Sequence, residues 1–553
     1  MTTASDNPAE LAKLYRKLRF LVVDDFENFR LSMKQMLRAF GADHIEVAAN
    51  GNDAVYKCTY ERFDIVLCDY NLGDGKNGQQ ILEELRYKKL LKHTSIFILV
   101  TAETSRDMVM GAREYQPDAY ITKPITRAVL QKRLDALIEQ RNQLYDINRE
   151  LDVDNYPKAI SQCLEAIPRL PRHRTWLLRT LADLYYQTGD YSHARKLYED
   201  VLNSRDLPWA RLGLGRVLLA EQQLDAASDL LKALIESHPE SMEAYDLLAK
   251  VLQAQGKDRQ AQQSLEEALR ISPNAIVRQQ SLATLATSNQ DLDTAAKAWR
   301  STVKLGNHSV HDSADNYLNL GRTLAELSDG DTSETGRNLA EEAMSTLHRM
   351  SRKYKDDEKA KLTGMLVESR VHAGQGRTQD SRRILEQVQA SVDPDTLDAN
   401  VGLEMAQSLY VLGDTQAAEK LLNTLAQRFE DQPAIIQRIE NLMDEPVSFQ
   451  KRIRARGLNR DAIKAFEAGR LDEAATAFEE ALSLVPRHPA LNLNLVQVLL
   501  KRMETAGQDL ASLRRCKNCL EQAEHIPSQH RQYKRLQFLK NKIEQMNRPG
   551  GAS

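Results

Sequence analysis

The sequence is poor in the residues that mark disulfide-stabilised, membrane-spanning and secreted proteins. Only 5 of its 553 residues are cysteines, which is too few for a disulfide framework in a chain of this length. Aromatic residues make up 6%, and no apolar run approaches the ~18 residues that a transmembrane helix needs. No apolar signal core precedes the first charges of the N-terminus. These absences predict a cytoplasmic protein without a membrane segment.

The chain also lacks a strong excess of either charge. It has 75 Lys and Arg against 78 Asp and Glu, a net charge of −3. A protein dedicated to nucleic acid usually shows a dominant basic excess, so this balance argues against that class. The last 53 residues are locally basic, with 11 Lys and Arg against 5 Asp and Glu. A solvated helix face is the favoured interpretation of this segment, and a nucleic-acid-binding regulator that uses it is the alternative.

Two different patterns divide the chain near residue 140. Before that point, short apolar runs without polar alternation are separated by amphipathic segments. The apolar runs predict strands at Phe20–Val23, Ile45–Ala48, Ile65–Cys68, Ile96–Val100 and Ala119–Ile121. The amphipathic segments predict helices at Glu27–Phe40, Gly51–Glu61, Gln79–Leu90, Ser105–Tyr115 and Arg127–Glu139. This order predicts a doubly wound α/β domain with a five-stranded parallel sheet.

After residue 140 the strand signals stop and a helical period begins. An alanine followed four residues later by a bulky residue recurs at intervals of 35, 33, 34 and 34 residues. The alanines are Ala159, Ala194, Ala227, Ala261 and Ala295, and their partners are Cys163, Tyr198, Leu231, Leu265 and Trp299. This period resembles the tetratricopeptide repeat, a helix–turn–helix unit that stacks into an all-α superhelix. We expect regular repeats over 139–307, degenerate repeats with insertions over 308–435, C-terminal helical repeats over 436–545 and a tail over 546–553.

Acidic residues follow two of the predicted strands. Asp24 and Asp25 follow the first strand, and Asp69 follows the third. The carboxyl ends of strands meet at one edge of an open α/β sheet, so these carboxylates can converge on a hard cation such as Mg²⁺. Thr101 and Lys123 follow two further strands, and a hydroxyl and an ammonium there would stabilise a transferring phosphoryl group.

This constellation resembles the receiver domain of two-component response regulators over residues 18–138, with residues 1–17 as a leader segment. The resemblance implies that Asp69 is the phosphoacceptor and the nucleophile that forms an acyl phosphate. It implies that Asp24, Asp25, Asp69 and the backbone carbonyl of Asn71 hold Mg²⁺. The loop after Asp69 departs from the family pattern, since it is one residue longer than usual.

The same resemblance assigns roles around the phosphoacceptor. It makes Thr101 and Tyr120 the switch pair and Lys123 the cation that contacts the phosphoryl group. It also makes Asn71 and Glu103 the residues that control hydrolysis of the acyl phosphate. A sensor histidine kinase or a phosphotransfer protein is the implied phosphoryl source.

Positions on the first helix of each repeat should line a groove that binds a protein or peptide partner. The candidates in the first repeats are Trp176, Arg179, Asp183, Tyr186, Trp209, Arg216 and Lys250. The favoured function is a response regulator that uses these repeats to bind a partner. A constitutive repeat scaffold, in which the receiver controls only homodimerisation, stays open.

An enzymatic output is disfavoured by the sequence. Phosphatases that form aspartyl phosphates have a second catalytic Asp two residues after the first, where this chain has Asn71. The C-x-x-C pair Cys516 and Cys519 has no second pair or nearby His, whereas a zinc site needs four ligands. We therefore expect a signalling or adaptor protein.

Overall fold

A computed structural model describes residues 8–102, 116–393, 396–443, 449–486, 488–507, 509–524, 526 and 532–546. By its internal packing the chain divides into two compact units. The first comprises residues 1–285 and 300–313, and the second comprises residues 286–299 and 314–553. Among the described residues, no helix combines the length and the apolar character that crossing a membrane would require.

The first unit begins with an α/β domain whose five parallel strands lie in the order β2-β1-β3-β4-β5. The strands are β1 Arg19–Val23, β2 His44–Ala48, β3 Ile65–Asp69, β4 Ile96–Thr101 and β5 Ala119–Thr122. The described helices of this domain are α1 Pro8–Lys17, α2 Glu27–Phe40, α3 Gly51–Tyr60, α4 Gly78–Tyr87 and α5 Arg127–Gln143. The doubly wound five-stranded sheet expected from the sequence is therefore confirmed.

The strands begin and end within one residue of their predicted positions, and the central strands β1, β3 and β4 are buried on both faces. Phe20 and Val22 point to one side of the sheet and join a core with α2 and α5. Leu21 and Val23 point to the other side and join a core with α3 and α4. Uninterrupted apolar runs are the signature of strands covered in this way. The predicted helix Ser105–Tyr115 falls outside the described residues.

Helix α1 differs from the leader segment expected over residues 1–17. Its Tyr15 side chain is 2% exposed, and its ring stacks on Phe20 with 6.0 Å between ring centroids. Tyr15 also packs at a tilt against Phe40 of α2. The described part of the leader is thus a helix that completes one core of the α/β domain.

A single residue separates the last helix of this domain from the first helix of the repeats. Helix α5 ends at Gln143, Leu144 caps it, and α6 spans Tyr145–Asp152. The two helices are therefore nearly continuous. Arg141, near the end of α5, pairs with Asp64 and donates to the carbonyl of Thr94, so this end of α5 is fixed to the sheet domain.

The repeats of the first unit are helices that each pack against the next. They are α6, α7 Tyr156–Arg169, α8 Arg174–Gln187, α9 Tyr191–Ser204, α10 Pro208–Ala220, α11 Leu224–Ser237, α12 Met242–Ala254 and α13 Asp258–Ile271, with a 3-10 turn at Pro171–His173. Helices α14 Ile276–Ser288 and α15 Leu292–Gly306 follow. The five periodic alanines of the sequence are 0% exposed, which confirms that they mark close helix packing.

The turn inside each repeat contains one residue in the left-handed backbone region. These residues are Asp154, Gly189, Gln222, Gly256 and Gln290, with φ between 55° and 77°. The conformation recurs with the repeat period, but glycine occupies it in only two of these five turns. The strain of the other three is small compared with the packing of the helices around them.

The second unit consists of further helices. They are α16 Ala314–Leu327, α17 Glu334–Lys353, α18 Glu358–Gly374, α19 Thr378–Ser391, α20 Ala399–Val411, α21 Thr415–Arg428, α22 Pro433–Met443, α23 Phe449–Glu467, α24 Leu471–Leu484, α25 Pro489–Ala506, α26 Leu510–Gln522 and α27 Tyr533–Met546. Its first described core lies around α18, α20 and α21, and another lies around α24 to α27. The all-α character predicted for this part of the chain is confirmed. The predicted repeat boundaries within it stay predictions.

Candidate functional site

Three carboxylates meet at the carboxyl edge of the sheet. Asp24 follows β1, Asp25 is next to it, and Asp69 ends β3. Each offers an oxygen atom, and these atoms lie within 4.8 Å of one another. Asp24 is 0% exposed and Asp69 is 6% exposed, whereas Asp25 is exposed. The backbone N–H of Phe26 donates to Asp24 Oδ1 at 2.8 Å, which orients this carboxylate. A cluster of oxygen ligands with one exposed member fits a hard divalent cation that keeps some of its water.

Lys123 joins two of these carboxylates. Its Nζ lies 2.8 Å from Asp24 Oδ2 and 3.1 Å from Asp69 Oδ1. The Lys123–Pro124 peptide bond is cis. The Lys123 backbone N–H donates to the carbonyl of Thr101 at 2.8 Å, and its ammonium lies 4.2 Å from the centre of the Phe29 ring. The ammonium is therefore held beside the two buried carboxylates.

The charges of this cluster shift each other's proton affinity. Burial raises the pKa of Asp69 to about 6, although the Lys123 ammonium opposes the shift and Asp24 adds to it. Burial alone would lower the pKa of Lys123, but its hydrogen bond to Asp24 and the charge of Asp69 raise it. Lys123 thus stays protonated and supplies a fixed positive charge beside Asp69.

Thr101 and Tyr120 lie on neighbouring strands. Thr101 is the last residue of β4, and Tyr120 pairs in register with Leu99 of the same strand. The Tyr120 side chain is half-buried and packs against the core that contains Leu99. The two predicted switch residues therefore lie on neighbouring strands, two residues apart in the sheet register.

The loop after Asp69 connects it to α4. Asn71 is exposed, and its side chain accepts a 3.4 Å hydrogen bond from the N–H of Gly73. A Cβ on Gly78, the first residue of α4, would lie 2.3 Å from the carbonyl oxygen of Asp69, so only glycine fits there. The extra residue of the loop after Asp69 therefore lies between Asp69 and Gly78. Glu103 lies outside the described residues.

Comparison with known proteins separates the α/β domain from the helices that follow it. The model of the response regulator receiver domain matches residues 20–135. The chain is 33% identical over 129 residues to the chemotaxis protein CheY-3 of Vibrio cholerae, covering 98% of that protein and 23% of this chain. This chain belongs to the response regulator receiver family. Tetratricopeptide repeat models match residues 179–241, 212–276 and 465–505, so repeats follow the receiver.

Other relatives cover the same region of the chain. The chemotaxis protein CheY of Pseudomonas aeruginosa is 31% identical over 125 residues, which span 99% of that protein and 23% of this chain. The solved CheY-like receiver of Methanospirillum hungatei is 27% identical, with a TM-score of 0.21, and is covered over 97% of its length by 23% of this chain. The receiver and tetratricopeptide repeat families are in general non-enzymatic signalling and adaptor domains.

Three of the predicted groove residues come together in the structure. Arg216 of α10 lies 3.1 Å from the carboxylate of Asp183 on α8, and its guanidinium lies 5.7 Å from the centre of the Tyr186 ring. Arg179 and Lys250 are exposed. The repeat phase predicted for α8 and α10 therefore places the polar residues on a shared surface.

The two tryptophans differ from the groove prediction. Trp209 packs edge-on against Tyr198, with 6.2 Å between ring centroids, and belongs to the core between α9 and α10. It follows Pro208 in the first turn of α10. Trp176 packs partly against the core of the first repeats. The rest of its surface lines a cleft of about 630 Å³ together with receiver residues such as Arg86 and Lys92.

Sequence patterns gave no signal for one polar contact between the receiver and the repeats. The carboxylate of Glu83 on α4 accepts a 2.9 Å hydrogen bond from the hydroxyl of Ser309, 226 residues later. The His311 imidazole Nε2 lies 3.0 Å from the same carboxylate. Neither residue belongs to a recurring motif, so only the folded chain reveals the pair.

The remaining candidates of the sequence are accounted for by packing. Lys501 and Lys542 both pair with Glu504, and Arg502 pairs with Asp472, so much of the basic charge near the C-terminus is matched. Cys516 and Cys519 are buried, and burial raises the pKa of their thiols to about 12 and about 11. These thiols are core residues of α26.

Proposed function

We propose that this protein is a phosphorylation-controlled response regulator in which Asp69 accepts a phosphoryl group and the repeats bind a protein partner. The observation that carries the proposal is the position of Asp69 beside the Lys123 ammonium and within the cluster of the Asp24 and Asp25 carboxylates. A histidine kinase or a phosphotransfer protein would supply the phosphoryl group. Family membership and the repeats support this role.

The chemistry follows from the charges of the cluster. Asp69 attacks the phosphorus of the donor through a carboxylate oxygen, and the bond from phosphorus to the donor atom breaks. Lys123, already 3.1 Å from Asp69, balances the charge of the phosphoryl oxygens, and Thr101 offers them its hydroxyl. Asp24, Asp25, Asp69 and the Asn71 carbonyl would hold Mg²⁺, which neutralises phosphoryl charge when bound.

The signal would leave the site through Thr101 and Tyr120. Phosphorylation adds roughly two negative charges at Asp69, which attract the Thr101 hydroxyl and leave room for the Tyr120 ring to turn inward. Asn71 and Glu103 flank the path of the hydrolytic water in the family pattern. Both are polar, so we expect the acyl phosphate to be short-lived, and Asn71→Met or Glu103→Leu to prolong it.

Phosphorylation with a small donor tests the assignment of Asp69. The full-length protein is incubated with acetyl phosphate and Mg²⁺, and the modified residue is mapped by mass spectrometry. We expect one label, on Asp69, that disappears in Asp69→Asn and when a chelator removes the metal.

Asp74 provides the matched control because it is an exposed carboxylate in the loop that follows Asp69. Asp74→Asn should label like the unmodified protein. Label that persists in Asp69→Asn, or that forms equally well in excess chelator, would contradict the proposal. An affinity pull-down that compares the unmodified protein with Asp69→Asn would then identify partners whose binding depends on phosphorylation.

A further inference from the structure

The receiver of this protein touches its own repeats through one face of helix α4. Residues Gln80, Glu83 and Tyr87 are three and four positions apart, so their side chains share one side of the helix. All three face the turn 307–311 that follows α15. This face of α4 and the turn form a defined contact within the first unit.

Glu83 is the centre of this contact. Its side chain is 7% exposed, and its two oxygens meet Ser309 Oγ at 2.9 Å and His311 Nε2 at 3.0 Å. Gln80 Nε2 donates to the carbonyl of Asn307 at 3.2 Å, and the His311 ring meets the Tyr87 ring edge-on at 6.2 Å. A carboxylate buried to this extent needs such partners, because an unpaired buried charge is costly.

The turn that receives Glu83 is held in place by its own hydrogen bonds. The Ser309 N–H donates to the carbonyl of Gly306 at 2.8 Å. The Ser309 hydroxyl accepts from the His311 N–H at 3.2 Å while it donates to Glu83. Gln280 of α14 reaches the carbonyl of His311 at 3.5 Å. These hydrogen bonds hold the turn in the conformation that contacts the Glu83 carboxylate.

The first turn of α4 is also tied to the phosphoacceptor strand. The Gly78 N–H donates to the carbonyl of Tyr70 at 2.8 Å, and Tyr70 is the residue after Asp69. The Asn77 side chain and Gln80 form a capping box that fixes the first turn of α4. A rearrangement around Asp69 that moves Tyr70 must therefore move the first turn of α4 or break its hydrogen bond.

Further contacts also hold the receiver against the repeats. Asp152 at the end of α6 accepts a 2.7 Å hydrogen bond from the hydroxyl of Thr94. Gln116 donates to Glu243, in the first turn of α12, at 2.8 Å. Glu243 lies on the same first helix of a repeat as Lys250, a predicted groove residue, so the receiver contacts a helix that is expected to line the groove.

We propose that the Glu83 contact is a latch that makes the receiver an internal ligand of the repeats, and that phosphorylation of Asp69 opens it. The inference rests on the proposed function. Helix α4 is held at Tyr70 and at the turn 307–311. A phosphoryl group on Asp69 displaces Tyr70 and the start of α4, and this movement strains the contact of Glu83 with the turn. In the open state water can replace the hydrogen bonds of Glu83, Ser309 and His311. The freed repeat surface is then available to a protein partner.

Amide hydrogen exchange of the full-length protein tests the latch directly. Without any phosphoryl source, Glu83→Gln and Ser309→Ala should exchange faster than the unmodified protein in segments 78–87 and 307–311, by about tenfold or more. His308→Asn is the matched control, because His308 lies in the same turn, is exposed and has φ of 72°, a conformation that Asn tolerates. It should exchange like the unmodified protein.

Beryllium fluoride with Mg²⁺ tests the coupling as a stable substitute for the phosphoryl group. It should raise exchange in the same two segments of the unmodified protein and add nothing in Glu83→Gln. Because coupling is reciprocal, both latch variants should also bind beryllium fluoride more tightly than His308→Asn does.

Unchanged exchange in both latch variants would overturn the latch, and unchanged exchange with bound beryllium fluoride would overturn the coupling. Failure of the proposed function is a separate result, namely no acetyl phosphate label on Asp69 of the unmodified protein. Far-UV circular dichroism and the thermal transition establish that each variant is folded, and Ser309→Ala decides the test if Glu83→Gln does not fold.

Discussion

The hydroxyl of Tyr15 donates a 2.7 Å hydrogen bond to the carboxylate of Asp135, 120 residues later in the chain. Tyr15 lies on α1 and Asp135 on α5, so the bond joins the first and last helices of the receiver. Burial, followed by the hydrogen bond to Asp135, holds the pKa of Tyr15 well above its ordinary value. Helix α1 is therefore a structural part of the receiver, and it is joined to α5, the helix that leads into the repeats.

Removal of the Tyr15 ring should destabilise the receiver. Tyr15→Ala leaves a cavity beside Phe20 and Phe40 and should cost about 3–5 kcal/mol. Tyr15→Phe keeps the ring but loses the hydrogen bond, so it should cost about 1 kcal/mol. Native-state amide exchange of the receiver strands measures both values. Tyr60→Ala is the control, since Tyr60 is 73% exposed and its loss should change exchange little.

Loss of the Lys123 charge should slow phosphorylation. Lys123→Met keeps much of the side-chain length but removes the ammonium that lies 3.1 Å from Asp69. We expect the rate of labelling by acetyl phosphate to fall about 100-fold, as is typical when one group that stabilises transition-state charge is lost. Lys132→Met on the exposed side of α5 is the control. Equal rates for the two variants would show that Lys123 takes no part in the transfer.

A methyl group at Gly213 should disturb the repeats. A Cβ there would lie 2.2 Å from the ring of Tyr198, whose side chain is 1% exposed and cannot move freely. Gly213→Ala should therefore cost about 1–3 kcal/mol through overpacking. Gly457→Ala in helix α23 is the contrasting change, because its Cβ would meet nothing within 4 Å. That variant should gain about 0.5–1 kcal/mol from helix propensity. Chemical denaturation of both variants, followed by local amide exchange, gives the comparison.

Glu404 should make the stability of the second unit depend on acid pH. Its carboxylate accepts hydrogen bonds from Arg322 at 2.7 Å and from Arg370 at 2.6 Å. Burial works to raise the pKa of Glu404, but Arg370 and Arg322 outweigh it and lower the pKa below its ordinary 4.5. A lowered pKa in the folded state means stability that is present above the unfolded value and lost as pH falls through the folded value.

Glu404→Gln is the variant that measures this contribution. It leaves two arginines without their shared anion, and should destabilise the second unit by about 3–5 kcal/mol near neutral pH. Urea denaturation repeated at decreasing pH should show the unmodified unit losing its advantage below the ordinary pKa of a glutamate. Parallel pH profiles for the two proteins would contradict this assignment.

The sequence predicted the parts of the fold that depend on local patterns. The strand Ile65–Asp69 is buried on both faces, so its apolar run alone marks it. Asp24 and Asp69 could be placed together because strand ends in a parallel sheet converge. Helix α1 had no such signal, since Tyr15 is explained only by Phe20 and Phe40 of the folded domain. Trp209 was assigned to the groove because its type suits an interface, but its packing depends on Tyr198 in the preceding helix.

The contacts of Arg141 hold the amino edge of the receiver sheet and leave its carboxyl edge without this attachment. Asp64 and Thr94, which Arg141 joins, precede strands β3 and β4, whereas Asp69 and Thr101 end those strands. The amino edge of the sheet is thus fixed to α5, the helix that leads into the repeats, whereas the proposed phosphorylation site lies at the carboxyl edge. A displacement that begins at Asp69 therefore starts at the edge that these contacts do not hold. We therefore expect phosphorylation of Asp69 to move α4, which begins at the carboxyl edge, more than the strand ends that Arg141 holds.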